Sequence, residues 1–261
     1  MAAGVIVASF VPFFSLYNYS TMNDFNNLLK ASAFGEWNRV RELSQILRAK
    51  NKNIDVIIEA DTKEATIFAH DKNMDSAINL ILPHRKYLNE TKPGIFESKL
   101  ASLYYMAGEY DKYVQNMKKA YEVSKQSSFR CDWAMAEARL GNLEVARRLI
   151  KEMEIEELPI YGMPLMNYTK GLVAYRRGEL DYAYEQFSWA YSSFLEYSKN
   201  PAVWASLAMV VSMFAIVTHD LDNDQDGSCL LSEAMIDIIK VHADKPLLVE
   251  LDKRFPTLFV D

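Results

Sequence analysis

The sequence predicts an all-α fold in which helix hairpins stack into a solenoid, and two observations support this prediction. A small or polar residue, an acidic or amide residue and an apolar residue recur together, with steps of 37, 36, 33 and 37 residues. The triplets begin at Gly35, Lys72, Gly108, Gly141 and Gly178. The chain has only 9 glycines and 8 prolines, which favours helices. A period of about 34 residues is typical of two-helix repeats, which bury their apolar faces by stacking.

Each triplet is flanked by apolar residues at helical spacing. In the third unit Leu103 precedes Gly108, and Tyr113, Met117 and Ala120 follow it at positions i, i+4 and i+7. After Gly178 the same positions hold Ala183, Phe187 and Ala190. The pattern therefore predicts a helix on each side of each triplet, with the glycine ending the first helix in the left-handed conformation.

The small residue early in the first helix, the turn glycine and the alanine of the second helix resemble the tetratricopeptide repeat (TPR) family over residues 21–192. The resemblance implies a right-handed α-solenoid of about five to six TPR-like hairpins with terminal capping helices. We expect residues 1–20 to form an apolar cap or anchor and residues 21–192 to form a five-repeat array. Residues 193–261 would then hold a sixth hairpin, an acidic loop and a capping helix.

In the resembled family the first helix of each repeat lines a concave groove that binds a protein or peptide. The repeat register then places these groove candidates: Lys63, Thr66, His70, Ser98, Ser102, Tyr105, Asp132, Met135, Arg139, Tyr168, Leu172, Tyr175 and Arg176. Their tyrosines suit recognition, because each offers a large contact area and a hydroxyl. The family's carboxylate clamp of Lys and Asn is not reproduced, which disfavours a chaperone-tail ligand. Plain helix packing is the alternative for each residue.

An acidic stretch after the fifth unit resembles an EF-hand calcium loop. Asp222, Asp224, Asp226, the Ser228 carbonyl and Glu233 match loop positions 1, 3, 5, 7 and 12, with glycine at position 6. Calcium prefers six to eight oxygen ligands, which alternate carboxylates can supply. The departures are a cysteine at position 8 and the lack of a second loop. The resemblance implies a possible structural calcium site, and a solvated turn is the alternative.

Residues 2–17 are almost entirely apolar and contain no Lys or Arg. Sixteen residues are slightly short for a membrane span, and a signal peptide would need a positive start and a small-residue cleavage site. Three interpretations stay open: a cap on the first hairpin, a membrane anchor, and a cleaved signal.

Composition excludes several classes of function. The net charge of −6 and the lack of a long basic run disfavour nucleic-acid binding. No nucleotide loop, transition-metal spacing or nucleophile elbow is present, so we expect no enzymatic activity. The two cysteines, Cys131 and Cys229, form no disulfide framework and are expected to be buried thiols.

The sequence thus favours a non-enzymatic protein- or peptide-binding scaffold or adaptor. One alternative is a ligand-sensing regulatory component of a signalling or transcription system. The other is a membrane-anchored assembly factor, which requires membrane contact through residues 2–17. For location, the sequence favours the cytoplasm, and a membrane-anchored or extracytoplasmic location is the alternative.

Overall fold

Helices account for the whole architecture of the described chain. The computed structural model describes residues 19–153, 162–221 and 224–259, with the side chains of 19–21 and 224–226 left out. These residues form fifteen α-helices and no β-strand, so the prediction of an all-α fold is confirmed. The apolar segment 2–17 and the predicted ligand Asp222 lie outside the described residues.

The helices are, in chain order, α1 Tyr19–Ala33, α2 Trp37–Lys50, α3 Ile54–His70, α4 Met74–Ile81, α5 Arg85–Thr91, α6 Ile95–Met106, α7 Tyr110–Ser124, α8 Ser127–Leu140, α9 Leu143–Met153, α10 Gly162–Arg176, α11 Leu180–Leu195, α12 Trp204–Asp220, α13 Asp224–Cys229, α14 Glu233–His242 and α15 Lys245–Arg254. Two 3-10 helices, Leu82–His84 and Pro201–Val203, precede α5 and α12. Consecutive helices pack as hairpins, such as α6 with α7 and α10 with α11.

The five residues that begin the repeated triplets form turns of the same kind. Their φ angles are positive: 68° at Gly35, 60° at Lys72, 79° at Gly108, 85° at Gly141 and 77° at Gly178. The next residue in each turn donates its backbone N–H to the carbonyl five positions earlier, as Glu109 does to Tyr104 at 2.8 Å. This is the Schellman arrangement, which satisfies the last carbonyls of a helix. The spacing in the sequence therefore located the turns between the paired helices.

The second hairpin departs from the others after α4. Pro83 cannot donate a helical hydrogen bond, and α4 gives way there to the 3-10 helix Leu82–His84. The short α5 follows, and Gly94, at φ 90°, precedes α6. A β-carbon at Gly94 would lie 2.6 Å from the Ala120 carbonyl, so this turn also requires glycine for space.

Close helix approach within a hairpin depends on small residues. A β-carbon at Gly171 of α10 would lie 2.7 Å from the ring of Phe187 on α11. Ala183 and Ala190, which flank Phe187 along α11, are fully buried. The predicted role of these small residues in bringing paired helices together is therefore visible in the packing.

Helix α12 forms the apolar centre of the C-terminal half. Residues Pro201–Asp220 are long and apolar enough to cross a membrane, with a mean hydropathy of 1.9, yet 94% of that window is buried inside the fold. Packing against α11, α13, α14 and α15 accounts for this apolar character.

The chain closes on itself, because its last helices return to its first hairpin. Helix α14 contacts α1, and α1 also contacts the 3-10 helix before α12. The rings of Phe34 and Trp204 lie 5.8 Å apart, edge to face. The C-terminal part of the chain thus packs against the first described hairpin instead of extending the row of hairpins.

Candidate functional site

The thirteen predicted groove residues lie on α3, α6, α8 and α10, the first helices of four hairpins. Most of them are buried. His70 and Arg176 are the exposed members of this set, and Arg139 and Tyr175 are half-buried. The predicted groove face is therefore largely enclosed in the folded chain, and packing accounts for many of its polar side chains.

A cavity of about 1290 Å³ remains between this face and residues 240–250. The predicted residues that line it are His70, Tyr105, Arg139, Tyr168, Leu172, Tyr175 and Arg176. Most of them lie near the carboxyl ends of their helices, whereas Tyr168 lies in the middle of α10. The predicted residues that are buried away from the cavity are Lys63, Thr66, Ser98, Ser102, Asp132 and Met135.

Residues 240–250, here called the C-terminal cover, form the opposite wall of the cavity. They comprise the end of α14, a short link and the first turns of α15. Asp244 caps α15, because its Oδ1 accepts the backbone N–H of Leu247 at 2.9 Å. An Asp followed by a proline two residues later is a helix-start signal, but nothing local in the sequence indicates where that helix packs. The sequence analysis therefore missed this wall.

Arg139 is the centre of the polar contacts in the cavity. Its Nη1 donates to the Tyr105 hydroxyl at 2.6 Å and to Asp244 Oδ2 at 3.1 Å. Its Nη2 donates to the Tyr168 hydroxyl at 3.2 Å. The Tyr105 hydroxyl in turn donates to Asp244 Oδ2 at 3.3 Å. We call these four residues the Arg139 cluster; they join three helices of the array to the C-terminal cover.

Burial governs the protonation of the Arg139 cluster. Burial raises the pKa of Tyr105 well above its usual value, with Arg139 opposing and Asp244 adding to the rise. Burial also raises the pKa of Tyr168. Both phenols therefore stay protonated at physiological pH, and the Arg139 side chain, 7% exposed, supplies the one positive charge of the cluster.

Two buried donors, one in the Arg139 cluster and one next to it, have no acceptor among the described residues. Arg139 Nε and the Tyr113 hydroxyl are both buried and make no hydrogen bond to any described residue. Both residues line the cavity. An unsatisfied buried donor costs about 1 to 3 kcal/mol, so an oxygen acceptor entering the cavity would be stabilised there.

A second cluster joins α15 to the array at the other end of the cover. Arg254 donates to both oxygens of Asp220, at 2.6 and 2.8 Å, and to the Tyr175 hydroxyl at 3.0 Å. Tyr175 also donates to Asp220, at 3.0 Å. Bidentate pairing of this kind fixes geometry as well as charge. Helix α15 is therefore held by an arginine of its own here and by an arginine of the array at Asp244.

The cavity is basic although the chain is acidic. Its lining includes five Lys or Arg side chains, at positions 72, 139, 176, 240 and 245, against the two carboxylates Asp244 and Glu250. The whole chain carries a net charge of −6. Arg139 and Arg176 lie in the last turns of their helices, where cations also stabilise the helix. Even so, the local excess of positive charge favours an anionic ligand.

Asp132 is buried without a partner and is not a recognition residue in this arrangement. It is 1% exposed, and neither carboxyl oxygen makes a hydrogen bond to a described residue. Burial raises its pKa well above the usual value. The repeat pattern therefore predicted an exposed side chain at this position, whereas the packing of α8 buries it.

Lys63 is likewise enclosed. It is 6% exposed, and burial lowers its pKa to about 8, against the attraction of Glu59. Lys99, also buried, forms an ion pair with Glu59. These charges compensate one another inside the fold, between α3 and α6, and are not available to a ligand in the cavity.

The acidic stretch has a different backbone from the predicted calcium loop. Asp224–Cys229, loop positions 3 to 8, form the short helix α13, and Glu233 begins α14 after the cap Ser232. Gly227 has no positive φ; it is buried where a β-carbon would lie 3.0 Å from the Ala215 carbonyl. This glycine therefore allows α13 to pack against α12 instead of making the sharp turn expected of a calcium loop.

No group of three or more His, Cys, Asp or Glu side chains among the described residues could hold a metal ion. Because Asp222 and the side chains of 224–226 lie outside the description, the calcium site stays a prediction. Of the two thiols, Cys131 is buried as expected, whereas the expectation for Cys229 is wrong, because it is exposed at the end of α13.

Comparisons with known proteins give a distant structural likeness. No protein-family model matches the sequence, and no curated protein matches it. Among solved structures, the crystal structure of BtubC (BKLC) from P. vanneervenii is similar, with a TM-score of 0.48 and 15% sequence identity. That match covers 82% of this chain and 92% of the other. So distant a match identifies no function for this chain.

Proposed function

We propose that this protein is a non-enzymatic scaffold of TPR-like hairpins that binds a protein or peptide segment in the cavity between its concave face and the C-terminal cover. The observation that supports the proposal most directly is the cavity itself. Its volume of about 1290 Å³ exceeds the roughly 300 to 1,000 Å³ of a typical small-molecule pocket. A short stretch of polypeptide fits a space of that size.

The lining suits a peptide better than a single small metabolite. Five tyrosines contribute, at positions 105, 110, 113, 168 and 175, together with apolar side chains such as Leu172 and Met213. Tyrosine combines a large contact surface with a hydroxyl, which serves both apolar and polar parts of a peptide.

The test is selection of peptides from a random displayed library on the purified chain, followed by binding to two matched variants. Leu140 lines the cavity and is 36% exposed, whereas Val123 is 48% exposed and lies outside it. Both occupy the last turn of a helix. We expect Leu140→Glu to weaken the selected peptides at least tenfold and Val123→Glu to leave them unchanged. Failure to select peptides, or equal effects of both substitutions, would overturn the proposal.

The alternative of a ligand-sensing regulatory function is favoured by one feature, the two arginine clusters that hold the C-terminal cover in place. A ligand that competes with those contacts would change the position of α15, and a partner could respond to that change. Residues 2–17 lie outside the described residues, so membrane anchoring through them stays a prediction.

A further inference from the structure

We propose that the C-terminal cover is a built-in occupant of the binding cavity, and that the external ligand is an acidic peptide segment whose carboxylate replaces Asp244 on Arg139. This inference rests on the proposed function, and it adds the chemistry of the ligand and the mode of competition. The segment that the ligand would displace runs from Lys240 to Glu250.

The contact between Asp244 and Arg139 leaves binding capacity unused. Asp244 meets Arg139 with one oxygen, Oδ2, at 3.1 Å, because its other oxygen caps α15. Arg139 Nε has no acceptor among the described residues. A carboxylate that caps no helix has both oxygens available for the guanidinium, and paired contacts of this kind are stronger than single ones.

The Tyr113 hydroxyl adds a second donor for the same ligand. It is buried, lines the cavity and has no partner among the described residues. The surrounding charge supports an anion as well, since the lining outside the displaced cover keeps Lys72, Arg139 and Arg176 and has no carboxylate. An incoming acidic segment would thus gain contacts that Asp244 does not make.

The cover itself indicates what should follow the carboxylate. After Asp244 come a lysine, a proline and then Leu247, Leu248 and Val249. Leu247 is buried and packs in the apolar cluster that includes Met213 and Ile216 of α12. A ligand that takes the place of the cover must fill the same space, so we expect an acidic residue followed within a few positions by bulky aliphatic residues.

The probe is a fluorescent peptide of residues 240–254, tested on the full-length chain. In the wild-type chain the internal segment competes, so binding is weak. Asp244→Asn in the chain removes the charge of the internal competitor, and we expect the peptide to bind at least tenfold more tightly, about 1.4 kcal/mol. Asp252→Asn, on the same helix α15 and outside the cavity lining, is the matched control and should leave affinity unchanged.

The same peptide with Asn at position 244 should bind the Asp244→Asn chain at least tenfold more weakly than the Asp peptide. Arg139→Gln, with folding verified by its thermal melt, should abolish the difference between the two peptides. Hydrogen exchange of α15 amides should accelerate when the Asp peptide is added in excess, because the cover leaves its site.

Four outcomes would overturn the inference. If the peptide binds the wild-type and Asp244→Asn chains with equal affinity, the cover does not compete with it. If the Asp and Asn peptides bind with equal affinity, the site does not recognise the carboxylate. Dimerisation of the Asp244→Asn chain, detected by light scattering, would assign the site to a second copy. Selected peptides that respond to Leu140→Glu but not to Arg139→Gln would leave the scaffold function standing without this chemistry.

Discussion

Val241 packs against the turn residue Gly35 so closely that a β-carbon at position 35 would lie 2.8 Å from its Cγ2 atom. Val241 belongs to the C-terminal cover, and Gly35 lies in the turn that follows α1. This contact therefore joins the two ends of the hairpin array, and it gives Gly35 a second requirement beyond its positive φ of 68°.

The first prediction compares two turn glycines that differ in the space available for a β-carbon. Gly178 has a φ of 77° and no heavy atom within 4 Å of a β-carbon, so Gly178→Ala strains the backbone alone. A left-handed conformation costs a non-glycine residue about 1 to 2 kcal/mol. Gly35→Ala must also displace Val241, and we expect it to lower the free energy of unfolding by more. Gly178→Val should be worse than Gly178→Ala, because a β-branched residue tolerates this conformation poorly.

Urea denaturation of these variants measures the difference. Adding Val241→Ala to Gly35→Ala makes room for the new methyl group, so the coupling between the two substitutions should be favourable. Equal losses at positions 35 and 178 would mean that Gly35 and Val241 are not in contact as described.

The second prediction concerns Lys72, which occupies the corresponding turn position with a φ of 60°. Glycine adopts that conformation without the β-carbon penalty, so Lys72→Gly should raise the free energy of unfolding by about 1 kcal/mol. Lys52 is a matched control, since it is exposed in a link between helices and has no positive φ. Lys52→Gly should lower stability slightly. A loss at position 72 as large as that at position 52 would contradict the turn assignment.

The turns could be predicted from the sequence because they are local. A glycine that ends a helix and the apolar spacing on each side depend on residues within one hairpin, and both lie close together in the chain. Lys72 was located by its position in the period although it is not glycine, because the following Asn73 and Met74 keep the pattern. The close approach of Gly171 to the Phe187 ring likewise lies within one hairpin.

The cavity could not be predicted in the same way, since its two walls are far apart in sequence. Arg139 and Tyr105 were among the groove candidates, but Asp244 contacts them across more than a hundred residues. Its sequence context indicates a helix cap and nothing more. Asp132 shows the converse difficulty, because a polar residue at a repeat position does not reveal that tertiary packing has enclosed it.

The third prediction concerns that residue. The unpartnered Asp132 is 1% exposed, and burial raises its pKa well above 3.8. The folded state therefore binds a proton that the unfolded state releases, so stability falls as pH rises through the interval above 3.8. Asp132→Asn removes the ionisation and should raise the free energy of unfolding at pH 8 by at least about 1 kcal/mol.

Thermal melts from pH 4 to pH 8 provide the measurement for Asp132. The gain from Asp132→Asn should shrink toward pH 4, because the unfolded-state carboxyl then begins to take up the proton that the folded state already holds. Asp111→Asn, at an exposed position on α7, serves as the control and should show no such trend. A gain that does not change with pH would contradict a buried ionisable carboxyl.

The fourth prediction addresses calcium at the acidic stretch. Because residues 224–229 are helical, ligation by positions 1, 3, 5, 7 and 12 requires α13 to unwind. We expect calcium, titrated in a calorimeter at up to millimolar concentration, to bind with a rise in melting temperature and with faster hydrogen exchange in α13. Glu233→Gln should lower the affinity without changing the fold, whereas Asp237→Asn on the same helix should not. Unchanged heats and melts in calcium and in chelator would reject the site.

The fifth prediction concerns the link between Asp220 and Arg254. Although burial opposes it, hydrogen bonds from Arg254 and then Tyr175 lower the pKa of Asp220 below 3.8. A depressed carboxyl pKa contributes stability that is present above 3.8 and is lost as pH falls through the folded-state value. Since the Asp220 side chain is 21% exposed, solvent screening limits this contribution, and we expect Asp220→Asn to cost about 1 kcal/mol at pH 7.

A double-mutant cycle with Arg254→Gln separates this pair from other effects of each substitution. The coupling energy should be favourable at pH 7 and should be lost as pH falls through the lowered pKa of Asp220, where the carboxyl becomes neutral in the wild-type chain. Because Arg254 is on α15 and Asp220 ends α12, loss of the pair should also accelerate hydrogen exchange of α15 more than that of α12. Equal acceleration in both helices would mean that the pair stabilises the whole fold and does not specifically hold the C-terminal cover.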